Sequence, residues 1–572
     1  MKYLICILIS LFAFTINVNA QEKKTKPKLK FKITGSFGLY GDFYKMKSDT
    51  VGAIAPRRPA FLGRAVANTT FSYGKFSLPF TMSMSSTQRS PVISTPSIPT
   101  GNFFKDFKNN ITNPLNRIGI APKYKWAQLL LGSQIPAYSE LSVGDISVFG
   151  AGIALTPGKF RFSAFAGKSQ TAINPDSARG IAGVYARKIY SVKIGVGHED
   201  SSHIYLIGSK LNDDTNSINL HPVSLLPQAG FLSSLDFRIN MGKKVYFKGE
   251  IAGSAFTRNQ YSSEVANFNP QLPRSLFITR LSSRLDYASI LTLGKEGKIF
   301  GIKTTGKYYG DGFVPMGYPF LQTDRAEITI DPKLTLKKGK ISLSGAIGKR
   351  INNLSGIRGT TTAQTIGNAN MNIQFSDAFS LAANFSNFGI RNNQTNDTLK
   401  VEMVTNSWSV SPNYTYSNDA SSHNFMFMYA QNTFADFNTI TGALNNNDAI
   451  NGVFSYSITM LKNPLSISTI ISYFDNNTSF GKLQTNSANL SAGYSFLKKK
   501  LKTTLGLTLA DNKFNNVANG FQTMLSSGIK YTLKKKINFG LNGSINLYKY
   551  GAAKPGISYK ENLLRTSITY QF

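Results

Sequence analysis

Residues 537–548 read Ile-Asn-Phe-Gly-Leu-Asn-Gly-Ser-Ile-Asn-Leu-Tyr, with apolar side chains at alternate positions and Asn, Gly or Ser between most of them. Successive side chains of an extended strand point to opposite faces, so this pattern predicts a β-strand with one apolar and one polar face. The same alternation runs through residues 341–347, 487–496 and 504–509. The chain is therefore predicted to be all-β and built from amphipathic strands.

Two kinds of fold use such strands. In a soluble sandwich or solenoid the polar face is the solvated outer one, whereas in a membrane barrel the apolar face meets lipid and the polar face lines a wet lumen. The alternating segments are about 10–14 residues long, while soluble strands average about 5–6. Aromatic residues stand near segment ends, as at Phe521 and Tyr531. We therefore predict a single transmembrane antiparallel β-barrel of about 26 strands, within a range of roughly 22–28.

The composition excludes several other classes. The chain has 572 residues, of which 41% are hydrophobic and 16% charged. This share of hydrophobic residues argues against a disordered chain. A helical membrane protein needs apolar stretches of about 18 or more residues, and the one long apolar stretch of this chain is at the N-terminus. Lys and Arg number 64 against 29 Asp and Glu, for a net charge of +35. Because the lysines cluster at predicted turns, anionic lipid headgroups explain the charge better than nucleic acid, and no nucleic-acid partner is predicted.

The N-terminus has the pattern of an export signal. A basic start is followed by an apolar core over residues 4–16 and by Ala20 just before Gln21. We predict a cleaved signal peptide over residues 1–20, a basic lead-in over 21–28 and the barrel over 29–572. The only cysteine, Cys6, lies inside the signal peptide, so the mature chain has no disulfide or thiol nucleophile.

Short and long connections alternate from residue 226 onward, over seventeen predicted strands, and this regularity indicates sidedness. Barrels of this class have short periplasmic turns and longer outer loops. A last strand that ends at the periplasmic rim with Phe572 gives the same orientation. Strict alternation is not expected between residues 122 and 226. The short connections, most of them rich in lysine, are residues 242–244, 295–298, 337–340, 376–378, 462–464, 498–500 and 534–536.

One segment is long enough to narrow a wide barrel. Residues 88–122 are rich in Pro and Asn and contain Phe103, Phe104 and Phe107. We expect this insert to be either an external loop or a constriction folded into the lumen.

The last predicted strand, residues 564–572, ends in Tyr570-Gln571-Phe572 and resembles the C-terminal sorting signal of bacterial outer-membrane barrels. The whole mature chain resembles the large outer-membrane β-barrels of Bacteroidota-type bacteria, including in the stretches 121–126, 149–152 and 157–162. The resemblance implies a Gram-negative outer membrane, surrounding lipid and lipopolysaccharide, and assembly by the barrel-assembly machinery through the last strand. TonB-dependent receptors match poorly, because alternation begins at Leu29 and leaves no room for a plug domain.

Catalytic and metal-binding patterns are scarce. The four histidines have no metal-ligand spacing, and no cofactor motif is present. The sets Asp200–His203 and Asp419–His423 combine Asp, Ser and His, but both are typical of hairpin turns. We predict no enzymatic activity, no cofactor and no metal.

Charges on the predicted lumen face are the best indication of function. They lend themselves to two interpretations: a wall neutralised by pairing between neighbouring strands, or a pore whose basic surplus favours anionic solutes. In this interpretation Arg350, Lys530 and Arg565 have no evident acidic partner. The lumen-facing set is Asp236, Arg238, Lys248, Glu250, Arg284, Asp286, Lys303, Lys307, Arg350, Lys530 and Arg565.

These features favour a porin-like channel or translocation pore. Two other functions remain possible from the sequence. One is a surface or scaffold barrel in an export, gliding or adhesion assembly, and the other is an outer-membrane hydrolase.

Overall fold

The computed structural model describes residues 31–49, 56–85, 116–144, 146–265, 272–316, 321–534, 536–551 and 558–572. The predicted signal peptide, the lead-in and residues 88–115 of the long insert lie outside the described residues.

The described residues form one antiparallel sheet with very little helix. Helical turns occupy Ser177–Arg179, Lys337–Gly339 and Gly442–Asn445. None of the helices in the described ranges is long and apolar enough to span a membrane. The strands are β1 (Phe31–Ser48), β2 (Phe61–Tyr73), β3 (Phe76–Ser85), β4 (Arg117–Ile120), β5 (Lys123–Tyr124), β6 (Ala127–Gln134), β7 (Val148–Leu155), β8 (Phe160–Gln170), β9 (Ala186–Gly197), β10 (His203–Asp214), β11 (Ala229–Met241), β12 (Val245–Thr257), β13 (Ser283–Lys295), β14 (Phe300–Tyr309), β15 (Arg325–Leu336), β16 (Ile341–Asn352), β17 (Thr362–Gln374), β18 (Phe379–Asn392), β19 (Glu402–Ser417), β20 (Ser421–Asp436), β21 (Asn447–Met460), β22 (Leu465–Thr478), β23 (Gly481–Phe496), β24 (Leu501–Phe514), β25 (Val517–Leu533), β26 (Ile537–Tyr550) and β27 (Tyr559–Gln571).

The sheet closes on itself. Consecutive strands pair antiparallel, and β1 pairs with both β2 and β27. The short strands β4 and β5 both lie between β3 and β6, so they are two halves of one barrel strand. Pro122, which has no N–H to donate, stands at the break. The barrel therefore has 26 strands, as the sequence predicted.

Exposure alternates along the strands and identifies the two faces. In β9, Tyr190, Val192 and Ile194 are exposed, while Ile189 and Lys193 are buried. The exposed aliphatic and aromatic side chains lie on the outer face, where a soluble protein would have polar ones. The barrel is therefore a transmembrane one, with its apolar face toward lipid.

The connections define two ends of the barrel. The turn end carries the tight Lys-rich turns, in which Leu497, Lys498 and Lys499 adopt positive φ angles of 50°, 53° and 67°. The loop end carries the long connections, such as residues 258–282. The predicted short–long alternation holds for most connections of β11–β27 but fails at two, because residues 479–480 and 515–516 are two-residue turns at the loop end. The predicted breakdown between residues 122 and 226 was wrong, because short turns at 156–159 and 198–202 alternate there with longer connections.

The outer and inner faces of the barrel are expected to differ in how far they tolerate a charged side chain. Leu507 lies on the outer face between Leu490 and Leu525 of the neighbouring strands, and Thr508 points the opposite way. We expect Leu507→Arg to lower the free energy of unfolding by roughly 2–4 kcal/mol, because an ionised group at mid-bilayer loses its water. Thr508→Arg should cost about 1 kcal/mol, for the hydrogen bond with Asn489. Urea unfolding in lipid vesicles would measure both, and equal costs would contradict the assignment of faces.

Candidate functional site

The inner face of the barrel is apolar along one sector. Wall residues such as Ile189, Leu211 and Leu232 belong to a cluster of buried hydrophobic side chains that also includes Leu141 and Val143. The latter two come from residues 135–147, the connection between β6 and β7, and both are fully buried. We call residues 135–144, with 146 and 147, the first infolded segment. It lies against the inner wall because apolar side chains facing a wet lumen would otherwise be exposed to water.

Charged groups of the wall hold the first infolded segment. The Glu250 carboxylate accepts hydrogen bonds from Ser139 Oγ at 2.6 Å and from the Leu141 N–H at 2.9 Å. Lys193 Nζ donates to the Tyr138 carbonyl at 3.2 Å. Since Glu250 is 5% exposed, these donors replace the water that its charge loses. The segment is thereby attached to β9 and β12.

A third anchor lies farther along the wall. Lys307 of β14 donates to Glu140 Oε1 of the segment at 2.8 Å. The anchors therefore span the inner wall from β9 to β14. Burial raises the pKa of Tyr138 to about 12, so this side chain stays neutral within the segment.

The connection from β14 to β15 also folds inward, over residues 310–316. Its Gly312 N–H donates to Asp286 Oδ2 at 2.8 Å, and its Asp311 accepts from Arg284 Nη1 at 2.7 Å. Arg284 and Asp286 are both on the inner face of β13. Residues 310–316 form the second infolded segment.

Apolar contacts complete the packing of the second infolded segment. Phe313 and Met316 are buried, and the Val314 N–H donates to Ser254 Oγ of β12 at 3.0 Å. A Cβ at Gly230 of β11 would lie 2.7 Å from Met316 Cε, so the glycine leaves space for this methionine. The segment thus crosses the inner wall from β13 to β11.

The opposite sector of the lumen is polar. Facing positions of its strands carry Ser, Thr and Asn, and Ser468 and Ser491 hydroxyls, for example, are 2.7 Å apart. Among the described residues, no hydrophobic side chain beyond Met316 is buried. We call the inner wall of β17–β27 the polar sector and that of β8–β14 the filled sector. A circular barrel of this strand number would be about 50 Å across, so filling one sector leaves much of the lumen open in the described part.

The register places like charges of the predicted set side by side. Asp236 is directly opposite Glu250, and Arg238 is directly opposite Lys248. The expected pairing of opposite charges between β11 and β12 is therefore absent at these positions. Asp236 instead lies 3.6 Å from His203 Nε2.

Arg238 is stabilised by neutral groups. Its guanidinium lies over the Tyr246 ring, 4.4 Å from the ring centre, and its Nε donates to Asn240 Oδ1 at 3.0 Å. Both contacts lie on the wall, so this charge remains at the lumen surface.

Other predicted charges have partners that sequence reasoning missed. Lys303 pairs with Asp331 at 3.0 Å. Arg350, expected to be unpaired, bonds Glu327 at 2.6 Å, directly opposite on β15. The alternation of β15 places Glu327 on the inner face, so this partner could have been found in the sequence.

Two predicted charges are unpaired. Lys530 and Arg565 are exposed and form no ion pair within the described ranges. Lys530 lies opposite Lys502, which is also exposed and also without an ion pair there. All three are in the polar sector.

Acidic groups of the polar sector are already engaged. Asp475 bonds Lys482 at 2.9 Å, and Glu561 accepts from the Tyr44 hydroxyl at 2.6 Å. Asp436 is held by Thr441 Oγ1 at 2.6 Å. Asp448 bonds the neutral Gln431 amide, and Asp42 of β1 lies directly opposite Arg565. The positive surplus of the described polar sector therefore centres on Lys502 and Lys530.

The Ser and His of residues 419–423 do approach each other. Ser421 Oγ lies 2.8 Å from His423 Nε2, and His423 Nδ1 lies 2.9 Å from the Tyr456 hydroxyl. The third group is thus a phenol rather than a carboxylate. Ser421 is only 7% exposed and also lies 3.3 Å from Asn418 Oδ1. These contacts are typical of a hairpin turn with a buried hydroxyl rather than of an accessible nucleophile.

The other Ser/His set is also part of a turn. His203 Nδ1 lies 2.9 Å from the Ser201 carbonyl, and its ring stacks on Tyr205. In the ranges that the structure covers, no group of three or more His, Cys, Asp or Glu could hold a metal ion.

Comparison with known proteins gives fold-level likeness at low scores. No family model and no curated protein matches the chain. The crystal structure of Acinetobacter baumannii OccAB2 aligns with a TM-score of 0.29 and 13% identity, over 60% of this chain and 92% of that one. The P pilus usher (PapC) translocation pore aligns with a TM-score of 0.35 and 9% identity, over 95% and 100%.

A ferric preacinetobactin receptor, BauA from Acinetobacter baumannii, gives a TM-score of 0.36 at 9% identity, over 94% of this chain and 81% of that one. These scores are too low to carry an argument about family or function. Kinship with Bacteroidota barrels stays a prediction.

Glu250 offers a direct test of the first infolded segment. Glu250→Ala removes both hydrogen-bond acceptors, so we expect the Leu141 amide to exchange hydrogen at least ten-fold faster. Hydrogen–deuterium exchange of the peptide covering residues 138–143 would measure this. Asp475→Ala is the matched control, because it breaks the ion pair with Lys482 in the polar sector, away from the segment and its anchors. Unchanged exchange in Glu250→Ala would contradict the anchoring role.

Proposed function

We propose that the protein is an outer-membrane channel whose solute path follows the polar sector of the lumen. The observation that carries the proposal is the unequal filling of the described barrel: infolded segments cover the inner wall of β8–β14, while the inner wall of β17–β27 is polar. Side chains of Ser, Thr and Asn hydrate readily and suit a water-filled path.

We further propose that the infolded segments narrow the path and are fixed rather than mobile. Two of their charged anchors, Glu250 and Lys193, are buried, and breaking their bonds to the first infolded segment would leave a charge without a partner in a dry site. A constriction held in this way limits solute size without closing the channel.

The outer-membrane location is part of the proposal. It is supported by the closed barrel, the apolar outer face and the predicted export signal. An orientation with the turn end in the periplasm and the loop end outside the cell is supported by the longer connections, most of which lie at the loop end.

Anionic solutes are the favoured cargo class in this proposal. The unpaired Lys502, Lys530 and Arg565 raise the local concentration of anions, while the acidic groups nearby are already bonded. A neutralised wall would show no such surplus. The proposal therefore predicts an anion-selective conductance.

Planar bilayer recording tests the channel and its selectivity together. We expect the purified protein to conduct, with a reversal potential of anion-selective sign under a salt gradient. Replacing Lys502, Lys530 and Arg565 with Gln should move that potential toward zero. The control changes Lys498, Lys499 and Lys500 to Gln, which removes the same charge from a turn at the barrel end. Absence of conductance would overturn the channel, and unchanged selectivity in the first variant would overturn the anion preference.

Surface labelling tests the orientation. A cysteine at Lys338 in a tight turn should be shielded from an impermeant thiol reagent on whole cells, because the turn end faces the periplasm. A cysteine at Asn446 or Asn515 of the loop end should be labelled. The only native cysteine, Cys6, lies in the predicted signal peptide, so the background is low. Labelling at Lys338 with protection at Asn446 would invert the orientation.

A further inference from the structure

Four lysines of the outer face lie together at the loop end. Lys45 and Lys47 of β1, Lys549 of β26 and Lys560 of β27 are exposed. By strand parity they point to the same side as Phe43, which is 46% exposed on the outer face. We call these four residues the lysine patch.

Lysines of the patch face one another across the sheet. Lys47 lies directly opposite Lys560 in the sheet. Like charges at such positions repel and destabilise a sheet unless an anion lies between them. None of the four lysines forms an ion pair with a residue in the described ranges. Asp49 is also exposed, two residues after Lys47, and an anion from outside the chain would relieve the remaining repulsion among the lysines.

A groove on the outer wall adjoins the patch. Its volume is about 890 Å³, and both Lys45 and Asn562 line it. Small side chains at Ser527 and Gly543 make the wall recede there. The remaining lining is mainly apolar, and includes Phe43, Ala60, Leu490, Ala492, Leu505, Leu507, Leu525, Ile545 and Leu564.

We propose that the lysine patch and the groove form one binding site for lipid A, the phosphorylated membrane anchor of lipopolysaccharide. The lysines would bind its phosphates, and the groove would take its acyl chains. Four cations spread over three strands suit a headgroup with more than one phosphate, and the apolar groove beside them suits acyl chains. The choice of lipid rests on the orientation in the proposed function, which places the loop end in the outer leaflet.

Native mass spectrometry of the delipidated, detergent-solubilised protein tests the site. Wild type, titrated with lipid A, should retain one lipid per chain. The variant K45Q/K47Q/K549Q/K560Q should bind at least ten-fold more weakly. The matched control K498Q/K499Q/K500Q/K534Q removes the same charge at the turn end and should bind as wild type does. Equal binding by the patch variant and the wild type would overturn the proposal.

Two further arms separate phosphate recognition from general lipid binding. Lipid A stripped of its phosphates should bind wild type as weakly as lipid A binds the patch variant. Phosphatidylglycerol, with one phosphate, should also bind weakly, and equal affinity for it would overturn the assignment to lipid A.

The groove is tested without a change of charge. Gly543→Trp should weaken lipid A binding by occupying the groove, since a Cβ at Gly543 meets only Ser527 Oγ at 3.4 Å and Leu564 Cδ1 at 3.9 Å. Unchanged affinity in Gly543→Trp would remove the groove from the site. This variant also keeps the test valid if the patch variant does not fold. Conductance should be the same in all these variants, so a failure of the lipid site is distinguishable from a failure of the channel.

Discussion

Pairing of β1 with β27 is the interaction on which the rest of the structure depends. Within a bilayer no water is present to bond free N–H and C=O groups, so a membrane sheet must have no open edge. The closing pair runs from Ser36↔Gln571 to Ser48↔Tyr559 and joins strands more than 500 residues apart in the chain. Closure forces every strand to present one face to lipid and the other to the lumen. The alternation seen at residues 537–548 is the direct consequence of that requirement.

Closure of so many strands also leaves a wide lumen, part of which is filled by the infolded segments. A barrel of 26 strands encloses more space than its wall side chains can fill. Where the inner face carries Ile189, Leu211 and Leu232, water would be unfavourable, and the first infolded segment covers them. Its buried polar groups then need partners, which explains a charged residue such as Glu250 deep in the wall. The polar part of the inner wall therefore borders the open part of the lumen, and the apolar part is covered by the infolded segments.

Sequence reasoning reached the strand number, the outer face and the tight turns because each depends on local alternation. It missed the infolded segments, although Ile204-Tyr-Leu-Ile207 is apolar on both faces and a strand of that kind is covered on both sides. It also missed the like charges side by side at Asp236 and Glu250. Register decides which side chains meet, and register depends on turn geometry that composition does not specify. The long insert, residues 88–122, was expected to be an external loop or a constriction, and that choice stays a prediction, whereas the described infolded segments are connections elsewhere in the chain.

Chemical accessibility within the lumen tests the division into sectors most directly. Ser209 lies on the filled sector and is 2% exposed, whereas Asn542 lies on the polar sector and is exposed. Single cysteines at these two positions can be treated with a charged, water-soluble thiol reagent during bilayer recording. We predict that Asn542→Cys is modified quickly, with a stepwise fall in conductance, and that Ser209→Cys is modified at least a hundred times more slowly, as its burial beneath infolded chain requires. Similar rates at the two positions would contradict the account.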